Sequence, residues 1–307
     1  MIKQDMTETI FTRYGKKNLV GKPRYLKSKI PKGDGFVQIK SSLREKNLFT
    51  VCEEAKCPNL AECWAQKTAT MMILGDTCTR ACKFCNVKTG NPKGWLDLEE
   101  PKKASEMVEL MSLNYLVVTS VDRDDLPDYG ASHFAAVVER IHQDHPEVKV
   151  EVLIPDFHAE EAHMRALADS KPFVIAQNLE TVKRLTHPVR DRRASYEKTL
   201  NALEFYSNNY ADIATKSSLM VGLGEELSEL EQSMKDLRSS GVKIITFGQY
   251  LRPTLRHLEV QRYYKEDEFD HLKEIAYSVG FDFVASGPMV RSSYKAAEYL
   301  QFINSKK

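Results

Sequence analysis

The sequence predicts an α/β protein built on a parallel sheet, and three observations carry that reading. Short apolar runs alternate with stretches of helical spacing from Met71 to Val284. Parallel neighbours need long crossovers, which the intervening helical stretches supply. No Pro/Gly-rich linker, internal repeat or low-complexity tract divides the 307 residues, a length that one barrel-type unit commonly fills. Periodicity alone leaves open whether the sheet is doubly wound or curls into a partial barrel.

Taken in order, residues 39–50 read as a short helix leading into a cysteine-rich stretch. The apolar run at 71–74 is the first strand, with a second cysteine group following it directly. A buried strand at 115–119 precedes a helix at 134–141, where Phe134, Val137, Val138 and Ile141 share one side. Residues 149–154 form a strand stopped by Pro155. A helix at 159–168, a strand at 172–176 and a helix at 195–206 follow. The series continues with a strand at 218–221, a helix at 225–237, a strand at 243–247 and a helix at 266–278, ending in the run 281–284. Six short strands alternating with helices are the minimum this pattern requires.

Composition narrows the function classes. Apolar residues at 42% and charged residues at 28% describe an ordinary globular protein. No apolar run approaches the roughly 18 residues of a membrane span, and a net charge of +1 argues against bulk nucleic-acid binding. Residues 1–35 carry nine Lys/Arg against three Asp/Glu, so this arm is basic while the remainder is acidic. Asp5 and Glu8 sit where transit peptides avoid acids, and no apolar secretion segment is present. The arm reads as a solvated basic segment or a docking surface for an acidic partner.

All six cysteines fall into two triads within 34 residues. Cys78, Cys82 and Cys85 have C-x3-C-x2-C spacing, with Phe84 directly before the last. Three thiolates in one short loop can hold three irons of a 4Fe–4S cluster. The fourth iron, left open, can chelate the amino and carboxylate groups of S-adenosylmethionine. Zinc prefers a closed set of four ligands, usually two separated Cys/His pairs, and no histidine lies near this loop. Cys52, Cys57 and Cys63 have C-x4-C-x5-C spacing. Two three-cysteine clusters account for the count better than one six-thiolate zinc knot or a disulfide framework, which a chain of this length does not need. Reduced, cluster-forming cysteines point to the cytoplasm.

Polar residues gather at the predicted strand ends: Thr119, Ser120, Asp122, Arg123 and Asp124, then Asp156, Asn178 and Glu180, Lys216 and Ser217, and Gln249. Each alone is an ordinary cap or turn residue. Their recurrence across five strands points to a pocket, because the C-terminal strand ends of a barrel face the reacting space. Gly222-Leu-Gly224 would let backbone approach a ligand closely, although a plain strand–helix turn explains a lone Gly-x-Gly as well.

Both cysteine runs, with Thr68-Ala-Thr70 and Gly75-Asp-Thr-Cys-Thr-Arg80, resemble lipoyl synthase. The resemblance continues through Thr119-Ser-Val-Asp-Arg-Asp-Asp-Leu126, Glu151-Val-Leu-Ile-Pro-Asp-Phe157, Asn178-Leu-Glu-Thr-Val182 and Thr215-Lys-Ser217. It ends with Gly222-Leu-Gly-Glu225, Gly248-Gln-Tyr-Leu251 and Gly287-Pro-Met-Val-Arg-Ser-Ser-Tyr294. It covers about residues 36–298, and the x4/x5 triad with Arg-Ser-Ser-Tyr is its most specific part.

The resemblance implies a partial (β/α)6 TIM-type barrel of the radical SAM kind with N- and C-terminal extensions. The implied division is a basic arm at 1–35, an auxiliary-cluster segment at 36–70, the barrel at 71–284 and a closing tail at 285–307. It implies two [4Fe–4S] clusters and S-adenosyl-L-methionine as cofactors. The cluster at Cys78, Cys82 and Cys85 would cleave the cofactor, with Thr119, Ser120, Asn178, Glu180, Lys216 and Gln249 contacting it. The cluster at Cys52, Cys57 and Cys63 would donate sulfur to carbons 6 and 8 of a protein-bound octanoyl-lysine. Its fourth ligand would be Ser293, with Ser292 a close competitor.

Implied partners are octanoylated lipoyl-domain proteins (the glycine cleavage H protein or 2-oxoacid dehydrogenase E2 subunits), an electron donor such as ferredoxin or flavodoxin, and cluster carriers. Nucleic acid and membrane are not among them. A tRNA methylthiotransferase would need a large cluster domain before the barrel and an RNA-binding domain after it, and this chain has neither. A non-enzymatic zinc module is the other rival class. Two positions depart from the family pattern. Gln177 stands where histidine is usual, which excludes a protonatable role there, and Tyr129 replaces a usual glycine.

Overall fold

The computed structural model describes residues 11–12, 15–16, 23–26, 41, 44–45, 49–51, 59–65, 68–294 and 296–305. Most of the basic arm, together with Cys52 and Cys57, lies outside the described residues. Seven parallel strands follow one another across a single sheet: β1 (Thr68–Ile73), β2 (Tyr115–Ser120), β3 (Lys149–Leu153), β4 (Val174–Ala176), β5 (Ala214–Val221), β6 (Ile244–Gln249) and β7 (Phe283–Gly287). The two-residue strand Phe49–Thr50 pairs antiparallel with the outer edge of β1. Part of the stretch expected as a helix at 39–50 is therefore strand, although residues 41 and 44–45 are helical.

Each of the first six strands is followed by a helix: α1 (Glu100–Met111), α2 (Ala131–Asp144), α3 (Glu161–Ala168), α4 (Tyr196–Asn209), α5 (Leu227–Ser239) and α6 (Glu266–Val279). These are the six expected β/α units, with β7 as an added strand. Among the described residues β7 does not pair with β1, so the barrel is open. Helix α1 was not among the elements expected from sequence. Pro101 reads as a breaker, but it lies in the first turn, where a missing N–H costs nothing. The helix buries Ala104, Met107, Val108 and Met111 at regular helical spacing.

Side chains alternate across the sheet and divide the core in two. Outward residues such as Leu116, Val118, Val150, Val152 and Ile175 pack under the helices. The inward face of β2 to β7 begins with Tyr115, Val174, Ala214, Ile244 and Phe283. A terminal helix, α7 (Ala297–Ser305), covers it with Tyr299, Leu300, Phe302 and Ile303. The sequence reading had only a tail here. This helix fills the lower half of the open barrel and leaves the C-terminal strand ends free. The chain enters it by crossing Gly248, where an added Cβ would stand 2.1 Å from the Val290 carbonyl. Among the described residues no helix is long and apolar enough to cross a membrane.

Candidate active site

A cavity of about 290 Å³ opens at the C-terminal ends of β1 to β4. Cys78, Cys82 and Cys85 line it, as do Thr119, Ser120, Asn178, Glu180, Ser292 and Ser293. Eight of the residues singled out from sequence, together with Ser292, are thus brought together from four strand ends and the C-terminal segment. Among the described residues no three His, Cys, Asp or Glu side chains gather at single-ion distance, so the thiols surround the space without converging on one point.

The cysteine loop is held by charge buried beneath it. Arg80, 5% exposed, grips Asp156 with both terminal nitrogens, Nη1–Oδ2 at 2.9 Å and Nη2–Oδ1 at 2.8 Å. Its Nη2 also donates to Asp124 Oδ1 at 2.9 Å, and Nη1 lies 3.3 Å from Asp122 Oδ1. One guanidinium therefore ties the loop after β1 to the loops after β2 and β3, in the fork geometry that arginine alone supplies. Asp124 further accepts from Thr79 Oγ1, Arg193 Nη1 and the His158 ring. On the other side Asp191 accepts from the Ala81 amide at 2.9 Å. The His257 ring lies 2.9 Å from the Cys85 carbonyl. Phe84 packs with Val189, Leu223 and Tyr250 and anchors the loop apolarly.

Burial governs the thiols. The Cys78 Sγ accepts from the amides of Arg80 and Asp122, both at 3.4 Å, and Cys82 Sγ accepts from the Asp191 amide at 3.2 Å. Desolvation nevertheless pushes both thiols up to about 12, and raises Cys85 as well. Metal-free, these are neutral thiols; a bound metal deprotonates its thiol ligands outright. Burial also raises Asp122 and Glu180. Asp124 and Asp156 are held below the ordinary carboxylate range by Arg80 against an opposing desolvation.

The remaining predicted residues stand elsewhere. Lys216 lies on the inner face below the cavity, its Nζ 2.7 Å from Glu151 Oε1, while Tyr115 donates to Glu151 Oε2 at 2.8 Å. Gln249 has the opposite parity on β6. It is buried among the carbonyls of Val221, Tyr250 and Arg262 and accepts from the Tyr264 amide. Neither lines the cavity. Arg123 is structural, donating to the carbonyls of Leu74 and Trp95. The Gly222-Leu-Gly224 amides are already engaged: Gly222 and Leu223 donate to the Glu225 carboxylate. At Gly222 (φ 102°) a Cβ would strike Gln249, so close packing is what requires glycine there.

Sequence reasoning missed the roles of Arg80, Asp191, Arg193 and His158. Arg80 carried a signal, being a charge inside the cysteine loop. The other three pair across distances no local pattern reveals.

Cys63 sits on the short helix Leu60–Ala65, which is tied to the C-terminal segment. Asn59 donates to the Met289 carbonyl at 2.6 Å, and Tyr294 donates to Glu62 at 3.1 Å. Tyr294 is close enough to Cys63 and Glu62 that both add to the rise in its phenol's pKa, behind desolvation. The Arg-Ser-Ser-Tyr run thus stands between the described cysteine of the first triad and the cavity.

Comparison with known proteins accords with this geometry. The Radical SAM superfamily matches residues 72–237, and the N-terminal domain of lipoyl synthase of the Radical SAM family matches residues 3–57. The chain is 54% identical over 280 residues to a lipoyl synthase from Marinobacter nauticus, covering 91% of this chain and 80% of that protein. It is 53% identical over 277 residues to one from Deinococcus radiodurans, covering 90% and 84%. Among solved structures, the fold resembles methylornithine synthase PylB, with TM-score 0.51, 12% identity and coverage of 87% and 83%. It also resembles the hydrogenase maturase HydG from Carboxydothermus hydrogenoformans, with TM-score 0.53, 14% identity and coverage of 89% and 78%. The chain belongs to the lipoyl synthase family of the radical SAM superfamily.

Proposed function

We infer that this enzyme inserts two sulfur atoms, at carbons 6 and 8, into an octanoyl chain carried on a lysine of a lipoyl-domain protein. The observation that carries the reading is the cavity itself. Its three thiols face a space in which four polar atoms have no hydrogen-bond partner among the described residues: Ser120 Oγ, both amide atoms of Gln177, and Asn178 Oδ1. Buried polar groups are rarely left unmade, so these residues fit a polar ligand held beside the thiols. S-adenosylmethionine with a 4Fe–4S cluster at Cys78, Cys82 and Cys85 is such a ligand. The family carries a second cluster, assigned here to Cys52, Cys57, Cys63 and the Ser293 hydroxyl, with Ser292 the competing oxygen.

When bound, these groups would supply the radical that removes hydrogen from unactivated carbon, a step beyond the reach of any side-chain base, and the sulfide that takes its place. The chain's own residues bind, orient and exclude water. Arg80 and its carboxylates fix the loop. Asn178 donates to Glu180 Oε1 at 3.2 Å, and the pair's remaining polar atoms would meet the cofactor, while Thr119 closes the strand end by donating to the Leu153 carbonyl. The orientation of the substrate carbons lies with the apolar lining from Met72, Leu153 and Ile154.

Supporting partners are a glycine cleavage H protein or an E2 subunit as octanoyl carrier, ferredoxin or flavodoxin as reductant, and cluster carriers that restore the consumed sulfide. Reduced thiols at every described cysteine suit the cytoplasm. Anaerobic turnover of an octanoyl-lysine peptide, followed by mass spectrometry, should show the gain of two sulfurs. A reconstituted enzyme that consumes S-adenosylmethionine while the peptide gains none would overturn the assignment.

A further inference from the structure

The Arg80 knot is also gripped from its outer side. After Asp156 the chain passes through three consecutive non-glycine residues in the left-handed region, Phe157 (φ 40°), His158 (φ 53°) and Ala159 (φ 59°). Such a turn persists only where its surroundings over-determine it. Phe157 is buried edge-to-face against Phe134 at 6.3 Å. The His158 amide donates to Asp156 Oδ1 at 3.1 Å, and its ring Nε2 lies 2.9 Å from Asp124 Oδ1. The same ring is stacked on Tyr129, centroids 4.4 Å apart and planes 19° apart. Tyr129, itself at φ 55°, donates its hydroxyl to Glu160 Oε1 at 3.1 Å.

We propose that the Tyr129–His158 stack is a clasp whose two residues act as positioning residues for the cysteine loop. Tyr129 follows the loop after β2, which contributes Asp124. His158 follows β3 and belongs to the turn that begins with Asp156. Joining the rings holds both carboxylates on Arg80, and Arg80 holds the backbone between Cys78 and Cys82. Released, the left-handed turn can relax and carry Asp156 off the guanidinium. Glycine would be free of strain at residue 129 where tyrosine is not. What tyrosine adds is the ring contact. The clasp does not depend on the reaction assigned above.

Amide hydrogen exchange on the metal-free full chain tests it directly. Tyr129→Gly should speed exchange across residues 76–90 by about tenfold, the equilibrium equivalent of one aromatic stack. Tyr129→Phe, which keeps the stack, should stay near wild type. Peptides from α5 and α6 should be unchanged in both. If they also exchange faster, the variant has lost its fold, and His158→Gln, which keeps a donor without the stack, carries the test on the same criterion. In reconstituted protein the electron paramagnetic resonance spectrum of the reduced loop cluster should broaden in Tyr129→Gly and recover in Tyr129→Phe. Unchanged exchange at residues 76–90 in a folded stack-breaking variant overturns the clasp, as does a Tyr129→Phe that behaves like Tyr129→Gly.

Discussion

The loop bearing Cys78, Cys82 and Cys85 and the helix bearing Cys63 differ in what they are fastened to. The charged anchors of the loop come from segments that follow successive strands of the sheet. Arg80 meets carboxylates that follow β2 and β3, and Asp191 takes up the Ala81 amide from beyond β4. Beside the Leu60–Ala65 helix, Asn59 and Glu62 bond to Met289 and Tyr294, beyond the last strand, while Leu60 and Trp64 pack into the core under the sheet. Burying charge in one network makes the loop costly to open. Part-buried and exposed hydrogen bonds such as those to Met289 and Tyr294 open more easily than such a network. A centre that keeps its shape through repeated electron transfer needs the first kind of support. A centre that gives up its sulfide has to come apart, and the second kind permits that.

The largest effect should separate the two triads outright. Cys78→Ala, Cys82→Ala or Cys85→Ala should reduce S-adenosylmethionine cleavage to background, measured as 5′-deoxyadenosine release. Cys52→Ala, Cys57→Ala or Cys63→Ala should keep that cleavage and lose sulfur insertion. Wild-type cleavage by any variant of the first group would dissolve the contrast between the regions. A smaller effect is expected at the C-terminal segment. Ser293→Ala should retain cleavage but lower sulfur insertion by at least the roughly 10–100-fold that removing a supporting group costs a metal site. Ser292→Ala should be the milder change, and the reverse order would transfer the ligand role to Ser292.

How much of this was legible in the sequence also divides along the two regions. The cysteine spacings stand in contiguous residues, so their chemistry could be read without a fold. The strands at 115–119 and 243–247 were legible because a buried parallel strand is largely an apolar run, and 149–154 was legible despite Glu151 because its valines and Leu153-Ile154 keep that character. Lys216 and Gln249 stand off the cavity for a reason of register that the sequence does not show. The strand expected at 218–221 begins at Ala214, which puts Lys216 inside the sheet, and the alternation of β6 turns Gln249 away from the cavity. Arg80 meets Asp124 and Asp156 across 44 and 76 positions, a pairing no local signal encodes. Helix α1, absent from the sequence reading, carries Pro101 in its first turn, where the position of a proline relative to the helix start decides its meaning.

Arg80 is the residue on which the rigid region turns. Arg80→Leu leaves Asp156 with an uncompensated buried charge, while Asp124 keeps Arg193, and breaking a buried pair in this way costs roughly 3–5 kcal/mol. Urea unfolding of the metal-free protein should report that loss, while Tyr294→Phe, at the loosely held region, should scarcely move the midpoint. Equal losses from the two substitutions would mean that the anchoring does not differ.

Acid should expose the same contrast more gently. Asp124 and Asp156 titrate below the ordinary carboxylate value of about 3.9 because Arg80 favours their charged forms over the desolvation that opposes them. In that range the unfolded chain binds more protons than the folded one, so their stabilisation is complete above about pH 5 and declines as pH falls through the lower folded values. Asp122 works in the opposite sense. Burial raises it, so the folded state takes up its proton first and gains stability as pH falls towards 4. Two lowered groups against one raised group leave a net loss on acidification. Melting temperatures of metal-free protein between pH 3 and pH 6 should therefore fall less steeply in Asp124→Asn than in wild type, because one of the two lowered groups is gone. A variant with the same slope as wild type would show that the acid sensitivity of this fold arises outside the Arg80 network.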